Sequence, residues 1–376
     1  MNVFVFGSSI TSSYWNGAAT YYRGIYKSLS RLGYRVTFAE PEIYDRQKHP
    51  DSADCSFAEV RVYKTPDDIP QLLNDARQRD VVIKHSGVGA GDELLERELL
   101  TCRTATNRVL FWDVDAPATL ARVEASASDR FRELIPHYDA IFTYGGGPPV
   151  VTAYRRLGAQ DCVPIYNGLD PETHYPVAPD PRFACDLAFV GHRLPDRELR
   201  VENLFLAAAT LAPEMSFALG GEGWGNKKLP SNVRWLGHIP TELHNVVNSS
   251  ARMVLNINRD SMASVGFSPP TRVFEAAGAG ACLITDHWQG IEEFFALESE
   301  ILVARSARDV VNHLRRLDRP QSAKIGFRMQ CRALRQHTYD LRAREVHVRL
   351  ESLFAASGKS IVLDSPAGYP VSSRPS

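Results

Sequence analysis

The chain has 376 residues, enough for two domains of ordinary size. Its 43 Lys and Arg residues nearly balance 44 Asp and Glu, and apolar residues make up 44% against 23% charged. These values exclude a polycationic nucleic-acid binder and a mostly disordered chain, and they predict a substantial buried core.

The first segment reads as strand, turn, helix, strand. Residues 3–6 form a short apolar run, Gly7 to Ser13 a turn, and Ala18, Tyr21, Tyr22, Ile25, Leu29 and Leu32 recur at helical spacing before Gly33 stops the helix and 34–39 form a second strand. Apolar runs at 81–83, 109–112 and 140–142 continue the alternation, as expected of a buried parallel sheet covered by helices. The proline- and turn-rich stretch 166–181 then marks a domain boundary. Beyond it the pattern restarts with strands at 187–190, 216–219, 233–236, 253–257 and 282–285 and with helices beginning near Pro195 and Pro270. A Pro-free stretch rich in Arg, Ala and Leu predicts closing helices, and a Ser/Pro/Gly-rich segment a mobile tail. The predicted organisation is α/β throughout, with two doubly wound Rossmann-like domains at 1–168 and 169–322, helices over 323–356 and a tail over 357–376.

The six cysteines, at 55, 102, 162, 185, 282 and 331, form no Cys-x-x-Cys pair and no short Cys/His spacing. That points away from a zinc site or a disulfide framework and toward a reduced, cytoplasmic protein. The opening MNVFVFGSSI lacks the basic segment and long apolar run of a signal peptide, and no run of about 18 apolar residues predicts a transmembrane segment.

Chemistry is expected at strand ends. Asn256-Ile257-Asn258 closes a strand, and Gly266-Phe267-Ser268-Pro269-Pro270-Thr271-Arg272-Val273-Phe274-Glu275 leads through a loop into a helix with Pro at its start. Free backbone N–H groups at such a start suit a phosphate or diphosphate without a metal, with Glu275 one turn in, within reach of a ribose, and Arg272 adding charge or bracing the loop. A second strand end, Gly191-His192-Arg193-Leu194-Pro195-Asp196-Arg197, offers a glycine and two arginines suited to phosphate; a solvated loop is the plain alternative. Asp113-x-Asp115 follows a strand in the first half, where alternate residues face opposite sides; one could serve as a general base, or the pair could pin its own loop. His85 is another base candidate at a strand end, with a loop-bonding histidine the alternative. The loops Gly87-Val88-Gly89-Ala90-Gly91, Gly145-Gly146-Gly147 and Gly220-Gly221-Glu222-Gly223-Trp224-Gly225 would let a substrate approach the backbone closely. The first turn, Gly7-Ser8-Ser9-Ile10-Thr11-Ser12, lacks the dinucleotide fingerprint, so NAD is not expected.

Taken in order, Ser13-Tyr14-Trp15-Asn16-Gly17 with Tyr21-Tyr22-Arg23, Phe111-Trp112-Asp113-Val114-Asp115-Ala116-Pro117, Phe142-Thr143-Tyr144-Gly145-Gly146-Gly147-Pro148 and above all the segment from Gly266 to Ala277 resemble the CgeB-like (spore maturation protein-like) glycosyltransferases. Asn167-Gly168-Leu169-Asp170-Pro171-Glu172 resembles the linker of the wider GT-B class. The resemblance implies a GT-B fold: an acceptor-side domain, a nucleotide-sugar domain, a cleft between them and a terminal helix crossing back to the first. It implies that Glu275 binds the nucleotide ribose, that Gly266, Ser268, Thr271 and Arg272 meet the diphosphate beside Asn258 and Gly191, and that Arg193 or Arg197 stabilises the leaving phosphate. It further implies a metal-independent transfer from a nucleoside diphosphate sugar, UDP or TDP first, to a small-molecule, glycan or protein acceptor, with no cofactor and no nucleic-acid partner. The catalytic candidates are then Asp113, Asp115 and His85. One departure stands out: retaining enzymes of this class often carry a Glu-seven residues-Glu pattern, and Phe267 occupies the first position here. A non-catalytic protein on the same scaffold and a nucleotide-sugar epimerase are the alternatives.

Overall fold

Short runs of Val, Ile, Leu and Phe that are buried on both faces can only pair as central strands of a helix-covered parallel sheet, and two such sheets form. In the computed structural model, which describes residues 1–14, 16–51, 54–356, 361 and 363, the chain divides into two units: Met1–Tyr144 with Val150–Ile165 and the residues from Tyr339 onward, and Gly145–Pro149 with Tyr166–Thr338.

The first unit holds β1 (Asn2–Phe6), β2 (Arg35–Pro41), β3 (Ala58–Tyr63), β4 (Val81–His85), β5 (Arg108–Asp113), β6 (Ala140–Thr143) and β7 (Cys162–Pro164). They pair in the order β3-β2-β1-β4-β5-β6-β7, all parallel. The order reverses between β1 and β4, which opens a crevice at their carboxyl ends. The helix Ala19–Arg31 buries Tyr21, Tyr22, Ile25, Tyr26 and Leu29 on this sheet. Its Gly24 admits the ring of Tyr339, whose Cδ2 would stand 2.2 Å from an added Cβ. That contact seats the helix Tyr339–Ala355 on the first unit.

The second unit holds β8 (Cys185–Val190), β9 (Phe217–Gly220), β10 (Val233–Gly237), β11 (Ala251–Asn256), β12 (Leu283–Asp286) and β13 (Leu302–Ala304), paired all-parallel as β10-β9-β8-β11-β12-β13. Its reversal lies between β8 and β11, the two strands that end at Val190 and Asn256.

Each unit is therefore a doubly wound Rossmann-like sheet. The predicted terminal helices divide: Arg319–Gln336 packs on Thr271–Gly278 in the second unit, and only Tyr339–Ala355 belongs to the first. The reason lies in the apolar faces, since Ile325, Met329 and Ala333 bury in the second unit while Ala343, Val346 and Leu350 bury in the first. The segment Gly145–Pro149 likewise goes with the second unit. The expected tail over 357–376 lies outside the described residues except for Ile361 and Leu363, which pack against the first core. No helix among the described residues is long and apolar enough to cross a membrane.

Candidate functional site

At the carboxyl end of β8 the chain turns at Gly191 into the helix Pro195–Val201. A side chain at 191 would place its Cβ 2.9 Å from Arg197 Nη2, so glycine there makes room for the guanidinium. Arg197 is 8% exposed; its Nη2 donates to the His192 carbonyl, its Nε finds no acceptor, and among the described residues no carboxylate pairs with it. Burial, reinforced by the neighbouring Arg272 charge, lowers its pKa to about 9. Arg272 is half-buried, and its pKa too is lowered by burial, with Glu275 opposing. Both guanidinium groups lie over the Phe189 ring, at 5.7 and 5.8 Å from its centroid. A buried and a half-buried cation near one another, with no bonded carboxylate among the described residues, are costly unless an anion joins them.

The loop that leads to Arg272 is strained. Gly266 (φ 77°) and Phe267 (φ 46°) both occupy left-handed backbone, which costs a non-glycine residue about 1 kcal/mol or more. Phe267 is held there by packing and hydrogen bonds. Its N–H donates to the Gln289 carbonyl at 2.6 Å, its carbonyl accepts from Gly146 at 3.0 Å, and an added Cβ at Gly147 or Gly290 would strike it. Ser268 is buried and donates its hydroxyl to the Gly266 carbonyl, which shapes the loop from within. The helix Thr271–Gly278 then begins at Pro270 with no side-chain cap and no acidic residue in its first turn, leaving the field of its N-terminus uncompensated. Asn258 is fixed through its N–H to the Asp286 carboxylate at 3.1 Å, and its buried side-chain amide nitrogen has no hydrogen-bond partner among the described residues.

Glu275 stands one turn into that helix, half-buried, with His244 Nδ1 3.8 Å from its Oε2. Burial alone would raise its pKa, but His244 at 3.8 Å and the neighbouring His174 and Arg272 bring it down to about 2. A narrow cavity beside it is lined by Val190, His244, Asn248, Arg272 and Glu275. The structure thus brings Gly191, Arg197, Asn258, Gly266, Ser268, Thr271, Arg272 and Glu275 to one end of the second sheet.

Arg193, expected as an alternative phosphate ligand, is instead bonded to Glu198 at 2.7 Å and to Asn226 and the Gly223 carbonyl, so its charge braces the 220–225 loop. That loop is anchored rather than free, because buried Trp224 donates to the Gly191 carbonyl at 2.8 Å. His174 and His244 escape sequence reasoning, being 70 residues apart with no motif; the one signal is Gly278, where a Cβ would come within 2.6 Å of the His174 carbonyl.

In the first unit the candidate polar groups are consumed by their own surroundings. Asp113 is fully buried and accepts from Ser86 Oγ (2.7 Å), Thr119 Oγ1 (3.0 Å), the Asp115 N–H (3.0 Å) and the Tyr154 hydroxyl, while burial raises its pKa. It pins its loop and meets no solvent, which corrects its placing as an acceptor base. Asp115, two residues on, is half-buried and opens the helix Ala116–Ala125. His85 is corrected too: it is wholly enclosed among Tyr22, Tyr26 and Trp112, shares a 2.6 Å hydrogen bond with the Tyr26 hydroxyl, and is pushed by burial to a pKa of about 3. The 87–91 glycine loop gives its Val88 and Gly89 N–H groups to Asp92 rather than to a ligand.

Residues 197–347 match a family model described as glycosyl transferase-like, a span that contains Arg197, Asn258, the 266–272 loop and Glu275. No curated protein sequence matches the chain. Among solved structures, sucrose-phosphate synthase from Thermosynechococcus elongatus aligns over 95% of this chain and 100% of its own at 14% identity and a TM-score of 0.67. Anabaena HepE, solved with UDP and glucose, aligns over 94% and 100% at 13% identity and 0.65. An alpha-glucosyltransferase in complex with UDP and a 13-mer DNA aligns over 93% and 99% at 12% identity and 0.65. The fold is that of the GT-B glycosyltransferases.

Proposed function

We propose that the chain transfers a glycosyl group from a nucleoside diphosphate sugar to a hydroxyl or amine acceptor. The observation that carries this reading is the pair Arg197 and Arg272, neither in an ion pair among the described residues, beside a helix start with no side-chain cap one turn before Glu275. In such a transfer the bond between the sugar C1 and the phosphate oxygen breaks with its electron pair leaving on the diphosphate, and the acceptor oxygen or nitrogen bonds to C1. Fixed positive charge aimed at the departing diphosphate lowers that barrier without reorganisation. Arg197, Arg272 and the first N–H groups of Thr271–Gly278 supply it, so the reading needs no metal and no cofactor. Glu275, ionised across the working pH range, would accept from the ribose hydroxyls.

The donor is read as a uridine or thymidine diphosphate sugar, supported by HepE and the alpha-glucosyltransferase, whose structures contain UDP. The likeness to CgeB-like enzymes rests on the segment from Gly266 to Ala277. Of the first unit's candidate bases, Asp113 and His85 are enclosed and Asp115 alone is half-buried, so Asp115 is the candidate that we retain. The test is thermal stabilisation of the full chain by UDP, TDP, GDP, CDP and NAD, followed by release of the diphosphate from its sugar conjugate. Stabilisation by one diphosphate, lost in Glu275→Ala, is the expected result. No shift with any of them would sink the reading in favour of a non-catalytic scaffold.

A further inference from the structure

Beside the assigned diphosphate ligands lies a cluster with a different chemistry. One ring nitrogen each of His174 and His244 and one carboxylate oxygen of Glu275 lie within 4.8 Å of one another. All three belong to the second unit, and two separate constraints fix the cluster. The His174 carbonyl and Cβ press on Gly278 at distances of 2.6 and 2.9 Å from an added Cβ, which locks the 170–176 segment onto the same helix face as Glu275, three residues earlier. Asn245, next to His244, donates to the Thr173 carbonyl at 2.9 Å, which ties the helix His244–Ser250 to that segment.

A hydrogen bond also holds the His174 ring in place. Thr173 Oγ1 donates its proton to the Asp170 carbonyl at 3.1 Å, so toward His174 Nδ1, at 2.9 Å, it can only accept. Nδ1 therefore donates to Thr173 Oγ1, which fixes the ring and leaves Nε2 as the nitrogen not engaged by Thr173. A histidine whose other nitrogen is held by an outer partner is the arrangement that orients metal ligands.

We propose that His174, His244 and Glu275 form a three-ligand site for a divalent transition-metal ion, zinc by donor chemistry, and that filling it withdraws the Glu275 carboxylate from a nucleotide. The second clause rests on the reading of Glu275 given above; the first does not. Two imidazoles and one carboxylate, with a position left for water, form a three-protein-ligand zinc set. Tetrahedral zinc places its ligand atoms about 3.3 Å apart, so the widest pair must close by up to about 1.5 Å, and half-buried His244 and Glu275 have room to do so. The narrow cavity at His244 and Glu275 admits a guest of water size for the fourth position. Arg272 on the same cavity opposes a dication and weakens its binding. The ion is an inhibitor in this scheme, not a cofactor of the transfer.

The test is equilibrium dialysis of the full chain against Zn²⁺, with Co²⁺ as an optical probe, in the native protein, His174→Ala and His244→Gln. Melting temperature checks that each variant is folded, and glutamine at 244 retains a hydrogen-bond donor for Glu275. The expected result is one ion per native chain, at least ten-fold weaker uptake in both variants, and visible absorption of four-coordinate cobalt in the native protein alone. Undiminished uptake in both variants would place the ion elsewhere, on the Cys55 or Cys331 thiols, and overturn the site; so would no uptake by the native chain. In the second arm UDP is titrated with and without Zn²⁺. Weakening of UDP in the native protein but not in His174→Ala supports exclusion. Equal weakening in both is chelation by the diphosphate, and no weakening in either leaves Glu275 unoccupied by the nucleotide; each overturns it. Zinc uptake with no UDP binding at all would uphold the metal site while removing the nucleotide reading.

Discussion

The two sheets share a topology but spend their strand-end charges differently. At the end of β5 Asp113 accepts four hydrogen bonds, and at the end of β4 the fully buried Lys84 is neutralised by Asp92 at 2.6 Å and Glu96 at 3.5 Å. Beyond the ends of β8, β11 and β12 the pattern splits. Asp286 is matched by Arg200, whereas Arg197 and Arg272 are matched by nothing of their own sign-opposite kind in bonding distance among the described residues. A buried polar group that is satisfied holds a fold together, and one left unsatisfied costs stability unless a ligand completes it. Asp113 and Lys84 are therefore structural, whereas Arg197 and Arg272 are the charges that an anion would satisfy.

The sharpest way to break this contrast is Asp113→Ala. It would leave Ser86, Thr119, Tyr154 and a backbone N–H without their acceptor in a dry interior, at a cost of roughly 3–5 kcal/mol. Urea unfolding should show it, with Asp113→Asn milder because its amide oxygen still accepts. A loss below about 1 kcal/mol would mean that the loop is not pinned there. His85 makes the same point through pH. Its folded pKa of about 3 lies below the ordinary 6.5, so the unfolded chain binds the proton first. The stability it contributes is full above pH 6.5 and falls as pH drops toward 3, with a slope approaching about 1.4 kcal/mol per pH unit. His85→Gln should flatten that limb in a series of unfolding curves from pH 7 to 4.

In the second unit the effects should appear on ligand rather than on fold. Glu275→Ala is expected to weaken UDP binding by roughly 10–100-fold, the scale of hydrogen bonds to a charged group, read by calorimetric titration. Because its carboxyl is held at about 2 against an ordinary 4.5, its own contribution to stability is complete above pH 4.5 and is lost only as pH falls toward 2. UDP affinity should accordingly show no Glu275 titration between pH 5 and 8.

How far the sequence reveals this contrast depends on burial. The central strands β1, β4, β5, β8 and β11 read directly as apolar runs because both faces are covered. The strands it misses, β3, β7 and β13, are all sheet edges. β3 is Ala-Glu-Val-Arg-Val-Tyr with half-exposed faces, and β7 and β13 have three residues each. The loop and helix from Gly266 to Glu275 are legible because a helix start, an arginine and a carboxylate lie within ten residues. Which arginine of Arg193 and Arg197 is left unpaired is not legible, since it turns on Glu198 and Asn226 and on the space left by Gly191. His174 and His244 meet only through the fold.

Arg197→Met separates the two roles that a buried cation can have. If Arg197 waits for an anion, removing its charge should raise the melting temperature of the ligand-free protein by a few degrees, the gain from replacing an unpaired buried charge by an apolar chain, and should weaken UDP about ten-fold. A structural arginine would give the opposite sign in the first measurement.

The smallest effect is expected at Arg193, four residues earlier and of the same chemical type. Its guanidinium is bonded to Glu198, which Lys227 also contacts at 2.8 Å, so its field at a bound diphosphate is largely cancelled. Arg193→Ala should change UDP affinity by less than about three-fold, within the reach of exposed ion pairs. What it should change is the 220–225 loop, which loses its bonds to Asn226 and the Gly223 carbonyl while Trp224 still holds Gly191. Faster amide exchange at 222–227 with near-native UDP binding is the expected pair of readings. A loss of affinity as large as that of Arg197→Met would show that pairing with a carboxylate does not remove an arginine from phosphate duty, and the distinction drawn between the two sheets would fall with it.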